Sequence, residues 1–251
     1  MAVADIDNPL ALFKSLNAIF TDLIGPASVR EGMSERLLDE AFESFEHYVK
    51  SALDGIDAVV ACRGGCASCC TIRVAATAPE VLLIKHYLIK LEKARGAEFV
   101  GDLVARIEQA HDATNGVGEL DRMEVGEVCP FIENGLCVIY SRRPLACRGH
   151  ASFSEHACVD ALSGEEVDVP ISEPHMTARS LIQNALQSAL RDAGLGWGIY
   201  ELNHALIIAL KDENCERAWM GGEDIFAPAR IADVSQEEMA ETFDAIKAAV
   251  A

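Results

Sequence analysis

Positive charge is scarce in this chain of 251 residues: Lys and Arg total 21 against 40 Asp and Glu, for a formal net charge of -19. A surface of that sign repels phosphate backbones and anionic lipid, which argues against nucleic acid and the membrane surface as partners. Long apolar runs are missing too. The longest, Leu202 to Leu210, covers nine residues and includes Asn203 and His204, far short of the ~20 residues of a membrane span. Met1 to Asn8 carries two aspartates and no positive side chain, unlike a secretory or transit signal, so a cytoplasmic location is expected. The chain shows no internal repeat and no low-complexity tract. Strand signals are few, and no glycine-rich strand-to-helix turn of the kind that cradles a nucleotide is present.

What is present is apolar bulk at helical spacing. Half of the residues are apolar, enough to bury one sizeable core or two small ones. Residues 9 to 24 place Leu12, Phe13, Leu16, Ile19, Phe20 and Leu23 on helical positions before Gly25-Pro26. Ser34 reads as the N-cap of a longer helix through Leu37, Leu38, Ala41, Phe45 and Val49, with His47 at its surface or satisfied in its core. Thr77-Ala-Pro-Glu80 is a capping box opening a helix through Val81, Leu82, Ile84 and Leu88, and another helix is expected from about 97 to 111. Thr71 to Ala75 suggests a short strand, and Thr114 to Gly118 is the best internal boundary. Asn134-Gly135 between short apolar runs predicts a hairpin-like turn. Residues 159 to 171 read as irregular and acidic. Helices return from Ser172 to about Ala193, from Gly198 to Asp212, and from a second capping box at Ser235 through Met239, Phe243, Ile246 and Val250.

The chemistry is concentrated in sulfur. Four of nine cysteines fall in one nine-residue stretch, Cys62-Arg-Gly-Gly-Cys66-Ala-Ser-Cys69-Cys70. A second segment holds Cys129-Pro-Phe-Ile, Cys137-Val-Ile-Tyr and Arg143-Pro-Leu-Ala-Cys147-Arg148. Nine clustered cysteines in a reducing compartment point to metal binding and away from a disulfide framework. Thiolates hold zinc, copper(I) and the irons of iron–sulfur clusters. Seven candidate ligands, Cys62, Cys66, Cys69, Cys70, Cys129, Cys137 and Cys147, exceed what one tetrahedral zinc takes. Neighbouring side chains such as Cys69 and Cys70 diverge in any regular backbone, so both on one ion needs an unusual turn. Cys158 and Cys215 stand apart, the latter as a small buried hydrophobe. The spacing of Cys62, Cys66 and Cys69 is compatible with a [4Fe-4S] cluster whose fourth ligand is Cys70 or a distal cysteine. Arg63, Arg142, Arg143 and Arg148 lie beside the sulfurs in an otherwise acidic chain, where guanidinium groups offset thiolate charge. His150 and His156 are candidate nitrogen ligands.

On these residues the chain resembles the YkgJ-like, or CxxCxxCC, family of zinc- or iron-chelating cysteine-cluster proteins. The likeness runs over about residues 62 to 150: the Cys66-Ala-Ser-Cys69-Cys70 stretch, the capped helix after it, Cys129-Pro-Phe-Ile, and Cys137-Val-Ile-Tyr140 leading to Arg143-Pro144-Leu-Ala-Cys147-Arg148. The first gap, three residues between Cys62 and Cys66, departs from the family's spacing of two. The resemblance implies metal chelation by these cysteines. Flagellin lysine N-methylases contain a similar domain and look like iron–sulfur proteins, which raises a modifying enzyme as an alternative.

The expectation is therefore a mainly α fold, a helical scaffold around a small irregular cysteine-rich core. Residues 1–61 supply N-terminal helices, 62–158 the core with two inserted helices, and 159–251 C-terminal helices. The expected cofactor is a [4Fe-4S] cluster in preference to zinc, with Arg143 and Arg148 beside it. A metal store or chaperone exchanging ions through exposed thiolates is a further alternative.

Overall fold

Asn8 opens the first helix. Its Oδ1 accepts from the Ala11 amide at 3.1 Å, and Pro9 occupies the first helical position, where its missing N–H costs nothing. The computed structural model describes residues 8–26 and 32–249; the end of the last helix at Val250 lies outside them. Helix α1 (Pro9–Ile24) and helix α2 (Met33–Ala52) turn Phe13, Phe20, Leu37, Leu38 and Phe45 inward. Ser34 does not cap α2. It sits inside the first turn, buried, after Gly32 has taken the left-handed conformation that admits the chain to the helix.

Both helices lean on α8 (Glu173–Asp192), which also receives the short α6 (Leu145–Gly149) and the closing α11 (Gln236–Ala248). Ile182, Ala185, Leu186, Ala189 and Leu190 make its buried stripe. Helix α3 (Ala78–Arg95) packs on α2, α4 (Ala97–Thr114) and α9 (Leu202–Lys211), so the apolar core is continuous from α1 to α9. The fold is mainly α, as expected.

Among the described residues, strands are confined to two small antiparallel pairs. The strand expected at 71–75 shrinks to β1 (Ala75–Ala76), which pairs with β4 (Tyr200–Glu201) across the sequence. Asn134 and Gly135, with φ of 51° and 78°, form the turn between β2 (Ile132–Glu133) and β3 (Leu136–Cys137). Two left-handed residues in a row match the twist of the flanking strands, which is why Asn-Gly was legible there. Several short helices had no strong sequence signal: α5 (Glu119–Val125), α7 (Glu155–Leu162) and α10 (Cys215–Met220). Residues 159–162, expected to be irregular, belong to α7. Among the described residues no helix is long and apolar enough to cross a membrane.

Candidate metal centre

One carboxylate holds the two cysteine segments in register. Glu80, buried at the start of α3, accepts from Thr77 N (2.7 Å) and Thr77 Oγ1 (2.8 Å) on one oxygen, completing the capping box. Its other oxygen accepts from Leu145 N at 2.6 Å. The helix that follows the first cysteine segment thus anchors the turn from which α6 presents Cys147. Burial raises the Glu80 pKa, and these three donors oppose the rise.

The segments meet directly. The Cys129 amide donates to the carbonyl of Cys70 at 2.6 Å. The hairpin then returns the chain, Val138 N bonding Phe131 O at 2.9 Å and Cys137 standing opposite Ile132. Phe131, fully buried, fixes this hairpin on the apolar core.

The sulfurs sense one another. Cys147 is raised by burial and then by the charges of Cys129, Cys69 and Cys137. Burial pushes the Cys129 thiol up to about 12, with Cys137 and Cys69 adding to the rise. Cys69 is raised first by a hydrogen bond with Cys70, then by burial. Consecutive turns, Cys70 N to Ala67 O and Ile72 N to Cys69 O, replace a regular backbone at this pair, which is the unusual turn that adjacent ligands need. Cys69, Cys70, Cys129, Cys137 and Cys147 therefore form an inner set.

This set suits a cation. Thiols crowded in a desolvated site resist ionising together, and a metal ion is what relieves that repulsion. Backbone amides are already turned toward sulfur, from Phe131 to Cys129 and from Ile139 to Cys137, and each favours the thiolate. Arg143 favours it at Cys69, Cys137 and Cys147. Among the described residues, no three His, Cys, Asp or Glu groups are already drawn to one point as a single ion requires.

The other predicted residues divide. Arg148 spends its donors on Glu46 (3.1 Å), Ser141 O (2.9 Å) and Arg143 O (3.1 Å) and lies over the Phe42 ring, clamping the 140–145 turn onto α2. Arg142 pairs with Asp39, and Arg63 pairs with Glu155 at 2.6 Å. His156, 87% exposed, pairs with Asp160. Desolvation, and then Arg179, shift the His150 pKa down. Cys215 is packed in the apolar core beside Lys85 Nζ (3.1 Å), the small buried hydrophobe the sequence suggests. Cys158 lies on α7, and the loop leading into that helix is tied to the first cysteine segment by the Ser152 amide on Cys62 Sγ at 3.3 Å. That helix was not visible in the sequence, so no spacing signal could have placed it.

Arg122 was missed altogether. It carries no motif, yet its side chain, 7% exposed, bonds Glu201 at 3.3 Å and favours the Cys129 thiolate. With Cys70, Cys129 and Glu201 it lines a cavity of about 20 Å³, room for one water-sized group.

Residues 61–165 match the model of the CxxCxxCC family, described as a putative zinc- or iron-chelating domain. No curated protein and no solved structure matches the chain.

Proposed function

We propose, from the premise that residues 61–165 are a CxxCxxCC zinc- or iron-chelating domain, that the inner thiols hold one buried metal centre and that this centre is an iron–sulfur cluster in preference to zinc. The observation carrying the reading is the convergence of two distant segments, Cys129 N–H on Cys70 O, with Cys69, Cys129, Cys137 and Cys147 within electrostatic reach of one another. Cys69, Cys70, Cys129, Cys137 and Cys147 would supply the ligands. Cys129, Cys137 and Cys147 lack the two-to-four-residue ligand spacing common in structural zinc sites. Arg143 and the inward amides offset the negative charge that four thiolates bring. Bound iron and sulfide would supply electron-transfer or structural chemistry there.

Anaerobic purification followed by iron, sulfide and zinc analysis tests the choice. Iron and acid-labile sulfide with a broad visible absorption band are expected. A colourless protein with stoichiometric zinc contradicts the cluster and leaves a zinc centre.

A further inference from the structure

A cleft between α8 and α11 carries donors that have no acceptor among the described residues. Arg179 and Gln183 stand one turn apart on the same face of α8. Both line a cavity of about 340 Å³ whose other wall is α11. Gln183 is 3% exposed, yet its Nε2 has no hydrogen-bond partner, and neither has the buried Nε of Arg179. Among the described residues no carboxylate pairs with Arg179. Glu80 feels its charge, but both Glu80 oxygens are taken by Thr77 and Leu145. Asn184 also lines the cleft, with its Oδ1 engaged by Gln187 at 3.4 Å, so its free end is again a donor. The Arg179 stem is pinned from behind. A side chain at Gly149 of α6 would come within 2.5 Å of the Arg179 Cβ, so only glycine lets α6 and α8 approach that closely.

We propose that this cleft binds a small monocarboxylate with an apolar body. Buried donors without acceptors are unfavourable, and an ionised carboxylate offers acceptors only, so one such group satisfies Arg179 and Gln183 together. The guanidinium fork is shaped for it, and the pairing strengthens where water is held off. None of the residues lining the cleft is acidic, in a chain whose net charge is -19. One guanidinium matches one negative charge, and the second charge of a phosphate ester would meet no partner here. Past the donors the wall turns apolar, with Ile199, Met239 and the buried Phe243 ready to take a hydrocarbon body. The cavity lies at the small end of ligand sites, which run from about 300 to 1,000 Å³. A short aliphatic or aryl acid fits, and a long fatty acid does not. No cysteine lines the cleft, so the site stands independently of the metal centre.

The test uses the full chain as purified, titrated by calorimetry with hexanoate and with phenylacetate, and in parallel with hexanol and inorganic phosphate. One saturable equivalent of at least one acid is expected, and no binding of hexanol or phosphate. Arg179→Gln and Gln183→Leu should each weaken that binding about 10-fold or more, read on protein with the wild-type far-ultraviolet helical signal. Thr242 lies on the exposed lip of the same cleft. Thr242→Glu puts a negative charge there without entering the core, and should weaken binding by repulsion even if the α8 variants fail to fold. Absence of binding by both acids, equal binding of hexanol or phosphate, or acid affinity unchanged in Arg179→Gln or in Thr242→Glu would overturn the site.

Discussion

The helical scaffold and the cysteine core are built on different physics. In the scaffold Phe20, Leu37, Leu186 and Leu206 are wholly buried, and each such side chain contributes about 2 kcal/mol through burial. The core has turns, two-residue strands and part-exposed sulfurs, held by a few hydrogen bonds and by the Glu80 carboxylate. A region with so little apolar burial opens easily unless something binds its folded form. The difference teaches that the scaffold should be indifferent to metal, and the core should depend on it.

Metal removal gives the largest separation between the two. Stripping the centre should speed amide exchange in residues 62–74 and 129–150 on the order of 100-fold, while α1, α2 and α8 stay protected. Hydrogen exchange followed by mass spectrometry reads this directly, and equal loss of protection in α8 would erase the distinction. On the scaffold side, Leu186→Ala should cost about 3 kcal/mol in urea unfolding and leave the metal count unchanged at temperatures where the protein is folded. Glu80→Ala strikes the joint between the regions. It should cost about 2 kcal/mol, since Thr77 N and Leu145 N lose their buried acceptor, and it should weaken metal retention as well. A loss of stability with metal binding untouched would show that Glu80 belongs to the scaffold alone.

Smaller effects refine the core. Arg143→Gln should lower metal affinity about 10-fold with the fold intact, and Arg148→Gln should instead appear as lost stability, because Arg148 grips Glu46 and the 140–145 carbonyls. The pH response of the metal-free chain has a definite sign. Cys129 ordinarily ionises at 9.0 and is raised to about 12 by burial. The folded chain keeps a proton that the unfolded chain gives up, so this stability is complete below pH 9 and is lost as pH rises toward 12. Cys147 and Cys69 shift the same way. The urea midpoint should therefore fall between neutral pH and about pH 10 in metal-free protein, and less so once thiolates are metal-bound.

Much of the scaffold was legible because its signals are local. Apolar spacing and the Gly25-Pro26 stop mark α1, Thr77 and Glu80 cap α3, and Asn134-Gly135 turns the hairpin, all within a few residues. The clustering of the cysteines into two segments was visible from density alone. What escaped depends on contacts between remote positions. Nothing near Glu80 says that its second oxygen will meet Leu145, and nothing near Arg122 says that it will face Cys129. Cys158 looked solitary because the Ser152 bonds that bring its loop to Cys62 span about ninety residues. Ser34 misled for the opposite reason: a good capping side chain was overridden by Gly32, whose left-handed φ of 64° starts the helix two residues earlier.

The central claim is that both cysteine segments grip the same buried centre. Metal analysis of Cys69→Ser and Cys147→Ser, one from each segment, tests it most directly. Each variant should lose the entire resident centre while its far-ultraviolet helical signal stays at the wild-type level. If either variant keeps the full complement, or if the two lose separate fractions that add up to it, the segments hold different ions and the account is contradicted.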